Sequence, residues 1–279
     1  MKKKILIAGG DMRQIYCAER LSQNYDIFIL GIERSYFPDN IQIYEACDDM
    51  EFEYAVLPVV PPDENGNISA PLYNKNLTVS EVQRFLKRGS AVFTGTNAEH
   101  SRMYFPNSTV IAYMDGESIS LKNAVPSAEG AVLIALEELP VTLNGLSVLI
   151  AGLGRIGTSL ALILKGFGAD ITASVRNECG AAKARMLGIK SVYTGEINGD
   201  FQLVFNTVPN VIFDGSMLEK FPADTLFIDL ASRPGGFDFN EAKREGRKVI
   251  WALGLPGKTA PKTAGIAVAE TILNILPPV

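Results

Sequence analysis

Three glycines at the spacing Gly152-x-Gly154-x-x-Gly157 directly follow the apolar run Ser147-Val148-Leu149-Ile150-Ala151. Each has its own task. Gly152 permits a tight turn, Gly154 lets the backbone approach a pyrophosphate, and Gly157 lets the next helix pack close to the strand. That helix opens at Arg155-Ile156, and its free N–H groups and positive end favour an anion. The chemistry implied is that of a dinucleotide cofactor. In NAD-binding units an acidic residue about 20 positions further on binds the ribose 2′-hydroxyl. Here that place reads Ser174-Val175-Arg176-Asn177. A carboxylate would repel a 2′-phosphate, whereas a guanidinium grips one. Arg176, with Ser174 and Asn177 in support, therefore points to NADP(H) over NAD(H). The alternative is a solvated Arg176 in an enzyme that takes both.

Four loops fall where strands end, the usual place for ligands in open α/β sheets. Gly9-Gly10-Asp11-Met12-Arg13-Gln14 is a second glycine-rich turn at a helix start. Asn206-Thr207-Val208-Pro209 offers polar groups to a nicotinamide ribose or a substrate. Asp229 to Gly236 brings together a carboxylate, Ser232, Arg233 and a glycine pair. Gly254 to Gly265 carries Lys258, Lys262 and Thr263, the last two at a helix start. Arg13, Arg233, Lys262 and Lys258 form a cationic set suited to a substrate with two carboxylates, expected in a cleft between two domains. The single histidine, His100, lies far from the fingerprint. A 2-hydroxy-acid dehydrogenase usually needs a base of that kind. The chemistry must then need little acid–base help, or use a lysine, a carboxylate or water. No Cys/His cluster suggests a metal site.

The elements that position these loops alternate between strand and helix. Residues 5–8, 26–30, 54–57, 91–94 and 109–113 read as buried strands, and 12–23 as a helix capped by Asp11. Thr78-Val79-Ser80-Glu81 is a capping-box pattern for a helix closed by Gly89. The stretch 61–70 reads as a loop. A helix is expected over 127–139, capped by Ser127 and stopped by Pro140. Then follow strands at 170–175, 203–207, 225–230 and 248–252, a helix at 181–187 closed by Gly188, and a final helix from Lys262. The fold class is α/β: two α/β domains with mainly parallel sheets, the second a Rossmann dinucleotide-binding domain. The expected division is 1–126 for substrate, 127–140 as a connecting helix, 141–260 for NADP and 261–279 as a C-terminal helix.

The chain has 279 residues, 47% hydrophobic and 20% charged, enough for about two domains with sizeable cores. A net charge of −5 without a basic block excludes nucleic acid as an expected partner. Cys17, Cys47 and Cys179 are widely spaced and odd in number, and read as reduced and buried in a cytoplasmic protein. The run after Met1-Lys2-Lys3-Lys4 is too short for a signal peptide. No stretch approaches the roughly 20 apolar residues of a membrane span.

Taken together, these loops resemble the family of dipicolinate synthase A subunits, sporulation dehydrogenases of endospore-forming bacteria. The matching pieces are Gly9-Gly10-Asp11 with Arg13-Gln14, Asn123 with Pro126 and Glu129-Gly130, the Gly152 to Gly157 turn, Asp229 to Gly236, and Gly254 to Gly257 with Ala260 to Gly265. The family also carries a small residue and an Arg after its second Rossmann strand. The resemblance implies oxidation of dihydrodipicolinate, or its hydrated tetrahydro precursor, to dipicolinate in the mother cell. It implies a flavoprotein-like B subunit for a partner. A homo-oligomer is also expected. It implies that Gly10, Arg13, Gln14, Ser232, Arg233, Lys262 and Thr263 hold carboxylates and that Asn206, Thr207 and Pro209 border the cofactor. Asp11, Glu129, Lys262 or water would accept the proton. Other readings are a 2-hydroxy-acid or shikimate-type dehydrogenase, and a non-catalytic NADP-binding regulatory subunit.

Overall fold

A computed structural model describes residues 2–277; Met1 and residues 278–279, at the ends of the expected first and last segments, lie outside the described residues. The first stretch of chain runs β1 (Lys4–Ala8), α1 (Met12–Leu21), β2 (Asp26–Leu30), β3 (Ile43–Glu45), β4 (Phe52–Val56), β5 (Asn67–Ile68) and β6 (Leu77–Thr78). It continues with α2 (Val79–Gln83), β7 (Leu86–Thr94), α3 (Ala98–Tyr104), β8 (Thr109–Ala112) and α4 (Glu117–Glu138). Then come β9 (Ser147–Ala151), α5 (Arg155–Gly166), β10 (Asp170–Val175), α6 (Glu178–Leu187), β11 (Lys190–Tyr193) and β12 (Leu203–Asn206). The last stretch is α7 (Gly215–Leu218), β13 (Leu226–Asp229), α8 (Phe239–Arg244), β14 (Lys248–Trp251), α9 (Leu255–Thr259) and α10 (Pro261–Ile275). The chain forms two compact units, residues 1–122 with 260–279, and residues 123–259.

The first unit is a six-stranded parallel sheet in the order β3-β2-β1-β4-β7-β8. Its central strand shows why a parallel sheet reads as an unbroken apolar run. Ile5 and Ile7 enter a core with α1 and α10, while Leu6 and Ala8 enter a second core with Phe28, Phe52 and Val92. The last helix, α10, packs on α1. The contact is close because Gly265 has no side chain: a Cβ there would sit 2.4 Å from the Arg13 carbonyl oxygen.

The second unit repeats the winding, with parallel order β11-β10-β9-β12-β13-β14. This is the Rossmann order. Val148 and Ile150 of β9 pack with Ala128, Ala131 and Ala135 of α4 and with Leu160 and Leu164 of α5. On the other face, Leu149 and Ala151 meet an aromatic cluster of Phe213, Phe221, Phe227 and Phe237.

Several local expectations are corrected. The helix expected from Ser127 begins ten residues earlier, and Pro126 lies inside it. A proline inside a helix loses one hydrogen bond without necessarily ending it. The Ser127 hydroxyl donates back to the Asn123 carbonyl at 2.8 Å instead of capping. The capping box at Thr78 forms with Glu81, but its helix lasts only five residues. Gly89 sits within β7 at φ +82°, where its N–H donates to Asn107. Cys17 is buried, but Cys47 and Cys179 are exposed; all three thiols are free. Strands β3 and β11 and the β5–β6 hairpin were not anticipated.

Candidate functional site

In the second unit, β9 ends in the glycine turn. Gly152 adopts φ +89°, and a Cβ there would fall 2.7 Å from Thr207 Oγ1. A Cβ on Gly157 would sit 2.0 Å from the Gly152 carbonyl oxygen, so α5 leaves the strand at backbone contact. Around Gly154 the space is open, and as N-cap of α5 it offers no side-chain acceptor to the helix's first N–H groups. Those are the features of a pyrophosphate seat. Beside it lies a cavity of about 590 Å³. Gly152, Gly154, Arg155, Ser174, Arg176, Asn177, Thr207 and Pro209 all line it, while Ile156, Gly157 and Asn206 do not. Thr207 Oγ1 donates to the Ala151 and Gly152 carbonyls, at 2.9 and 3.2 Å, and locks the turn. Lys183 of α6, which the sequence reading missed, reaches back to the Leu153 carbonyl at 2.8 Å.

At the end of β10 the three proposed phosphate ligands differ. Ser174 is buried, and its hydroxyl shares a hydrogen bond with Thr194 Oγ1 at 2.9 Å. Asn177 caps α6 by accepting the Gly180 N–H at 3.0 Å. Arg176 is exposed on the cavity wall, with no carboxylate paired to it among the described residues.

Asn206 requires a correction. It was expected to border the nicotinamide, yet it is fully buried and its amide is committed. Nδ2 donates to Asp229 Oδ1 at 2.7 Å and to the Val208 carbonyl at 3.0 Å, and Oδ1 accepts the Val208 N–H at 3.1 Å. Asp229 is equally buried. It also accepts the N–H groups of Ala231 (3.1 Å) and Gly236 (2.8 Å). These two residues lie behind the loop and hold its shape. The loop presents Ser232 and Arg233 at the surface. Trp251, also unanticipated, braces it. Its Nε1–H donates to the Ala231 carbonyl at 3.0 Å, and its ring lies 5.4 Å from the Arg233 guanidinium carbon. That distance is within the range of a cation–π contact. Phe239 stacks on the same indole at 4.8 Å. Glu129 on α4 and Lys258 on α9 are exposed on this unit.

In the first unit, the Gly9 to Gln14 loop joins β1 to α1. Asp11 caps α1 through the Arg13 N–H at 3.0 Å and grips the Arg13 guanidinium at 2.9 and 2.7 Å. Burial alone would raise the Asp11 carboxyl, but the hydrogen bonds and charge of Arg13 outweigh it and hold it below the ordinary carboxylate value. Arg13 is thus not the free cation expected from sequence, because its charge is already matched. Beneath this pair, burial pushes the Cys17 thiol and the Tyr113 phenol upward. Lys262 and Thr263 are exposed on the first turn of α10. Among the described residues neither Lys262 nor Arg233 has a carboxylate partner. His100 is a helix residue whose ring nitrogen meets the Pro62 carbonyl at 2.8 Å. Among the described residues no cluster could hold a metal ion, and no helix is long and apolar enough to cross a membrane.

Residues 4–114 match the N-terminal domain of the dipicolinate synthase A subunit, and residues 130–234 match the NAD binding domain of D-isomer specific 2-hydroxyacid dehydrogenases. The dipicolinate synthase A subunit of Bacillus subtilis (strain 168) is 29% identical over 98% of this chain and 95% of its own. The chain is thus similar to the dipicolinate synthase A subunits over nearly its whole length. The crystal structure of the corresponding protein from Bacillus halodurans superposes with a TM-score of 0.87 at 27% identity, covering 99% of this chain and 98% of that one. A transhydrogenase from Sinorhizobium meliloti, at 15% identity and a TM-score of 0.72 over 98% of this chain and 93% of its own, shares the fold. The protein is a nicotinamide-dinucleotide-dependent oxidoreductase.

Proposed function

We propose that the protein is the nicotinamide-dependent subunit of a dipicolinate synthase. It oxidises dihydrodipicolinate, or its hydrated tetrahydro precursor after loss of water, to dipicolinate in the mother cell of a sporulating bacterium. The observation that carries this reading is the likeness to the dipicolinate synthase A subunit over both units, 98% of the chain. The cofactor is NADP, because Arg176 stands at the end of β10 where an NAD-binding unit places an acid. When bound, it supplies the hydride acceptor.

The chain's own residues bind, orient and take the proton. In the second unit Arg233, with Ser232 next to it in sequence, and in the first unit Lys262, with Thr263, are exposed and unmatched by a carboxylate among the described residues, and each suits a carboxylate of the substrate. The ring loses a hydride and a proton and becomes aromatic. That gain makes the step downhill, so a weak base suffices. Asp11 fits this role, being kept ionised by Arg13. Glu129, Lys262 and water are the other acceptors. The partner is a second, different polypeptide of the synthase, as the relatives' name implies.

Mixing the protein with NADP+ and freshly prepared substrate, with and without that partner polypeptide, tests this. NADPH absorbance together with dipicolinate is expected. Neither product under either condition rejects the proposal, and cofactor binding without turnover would give the chain a regulatory role. A 2-hydroxy-acid dehydrogenase is disfavoured because the single histidine sits in the first unit with its ring on the Pro62 carbonyl.

A further inference from the structure

Gln14, on the first turn of α1, is 2% exposed, and its Nε2 meets no acceptor among the described residues. Buried donors are paired in native proteins, and an unpaired one is destabilising. A group kept in that state is suited to an acceptor that arrives with a ligand. Gln14 lines a cavity of about 20 Å³ together with Gly10, Asp11, Arg13, Val59 and Ser69, the Asp11 carboxylate there being paired with Arg13. That volume suits about one oxygen atom.

The loop is built around this side chain. Gly10 adopts φ +99°, and its N–H donates to the Ser69 carbonyl at 2.8 Å. A Cβ on Gly10 would lie 2.1 Å from Gln14 Cγ, so the glutamine occupies the space a residue-10 side chain would need. Charge points the same way. The Asp11–Arg13 pair cancels within the loop, which leaves a neutral amide as the unmatched donor beside the positive end of a ten-residue helix.

We propose that Gln14 Nε2 donates to a carboxylate oxygen of the dicarboxylate substrate, making Gln14 the specificity-determining residue of the first unit. Arg13 acts through Asp11 to hold the loop. This inference rests on the dicarboxylate reading above.

The test uses the full chain and pyridine-2,6-dicarboxylate as probe, with calorimetric titration and thermal unfolding. The variants are Gln14→Met, which keeps the shape and removes the donor, and Gln14→Glu, which sets an acceptor against the carboxylate. A hydrogen bond to a charged partner contributes enough that Gln14→Met should weaken binding about 10- to 100-fold. Without ligand, Gln14→Met should melt above the wild type, since the unpaired donor is gone. Gln14→Glu should lose binding at neutral pH, which keeps the proposal testable if the methionine variant misfolds. Equal affinity of the wild type and either variant overturns the role of Gln14 while leaving the proposed function standing. So does a lower melting point with unchanged affinity for Gln14→Met, which would assign the cavity to a structural water. No binding by the wild type overturns the dicarboxylate reading itself.

Discussion

Replacing Asp229 with alanine removes the acceptor around which the Arg233 loop is folded. The carboxylate is fully buried and takes three N–H groups, from Asn206 Nδ2, Ala231 and Gly236. Asn206 Nδ2 keeps a second acceptor in the Val208 carbonyl. Among the described residues the two backbone N–H groups have no other partner. An unpaired buried donor costs about 1–3 kcal/mol, so two cost about 2–6 kcal/mol. That is a large share of a typical domain stability of about 5–15 kcal/mol. Asp229→Asn keeps the volume and one acceptor oxygen but turns an amide NH₂ toward a donor, so about half the loss is expected. The assay is urea unfolding followed by tryptophan emission. Trp251 is the only tryptophan, and it donates to the Ala231 carbonyl, so it reports on this loop. With a slope of about 2 kcal/mol per molar urea, the midpoint should fall by about 1–3 M in Asp229→Ala. A shift below about 0.3 M, smaller than one such hydrogen bond would give, would refute the view that Asp229 anchors the loop.

Arg176→Ala should weaken NADPH binding about 10- to 100-fold, the loss of a charge-assisted bond, and leave NADH nearly unchanged; equal losses for both cofactors would remove Arg176 from the 2′-phosphate. Gly157→Ala puts a methyl 2.0 Å from the Gly152 oxygen, so it should destabilise the second unit by about 1–3 kcal/mol and abolish dinucleotide binding. Calorimetric titration with NADP+ checks this. Asp11, with its carboxyl held down in the folded state, contributes stability that is complete above the ordinary carboxylate value and lost as pH falls through its lower folded value. The melting difference between wild type and Asp11→Asn should therefore hold steady at neutral pH and narrow only below about pH 4. A difference that closes between pH 5 and 8 would contradict that origin.

Much of the framework was legible because its causes are local. Buried parallel strands are unbroken apolar runs, and five of the six strands of the second sheet were expected on that pattern. The exception, β11, is a mostly exposed strand, Lys190–Tyr193, and lacks the pattern. Strand β3 was missed for the same reason, since two of its three residues are exposed. Helix α4 was cut short because Ser127 reads as an N-cap, whereas its hydroxyl bonds back to the Asn123 carbonyl inside a longer helix that contains Pro126.

The glycine turn was readable because backbone geometry dictates its spacing: a positive φ at Gly152 and contact at Gly157 are demands within six residues. Residue type alone also placed Arg176 at the end of β10. What each polar group does was another matter. Asn206 looked like a cofactor contact until adjacent strands brought it against Asp229, 23 positions on, as a buried pair. Arg13 looked like a free cation until its guanidinium was seen folded onto Asp11. Trp251 carried no motif and gained a role only because β14 lies beside β13. Local chain geometry decides where a turn and a helix start stand, and sequence states it. Pairing and burial depend on which distant segments meet, so the availability of a side chain is settled by the tertiary fold.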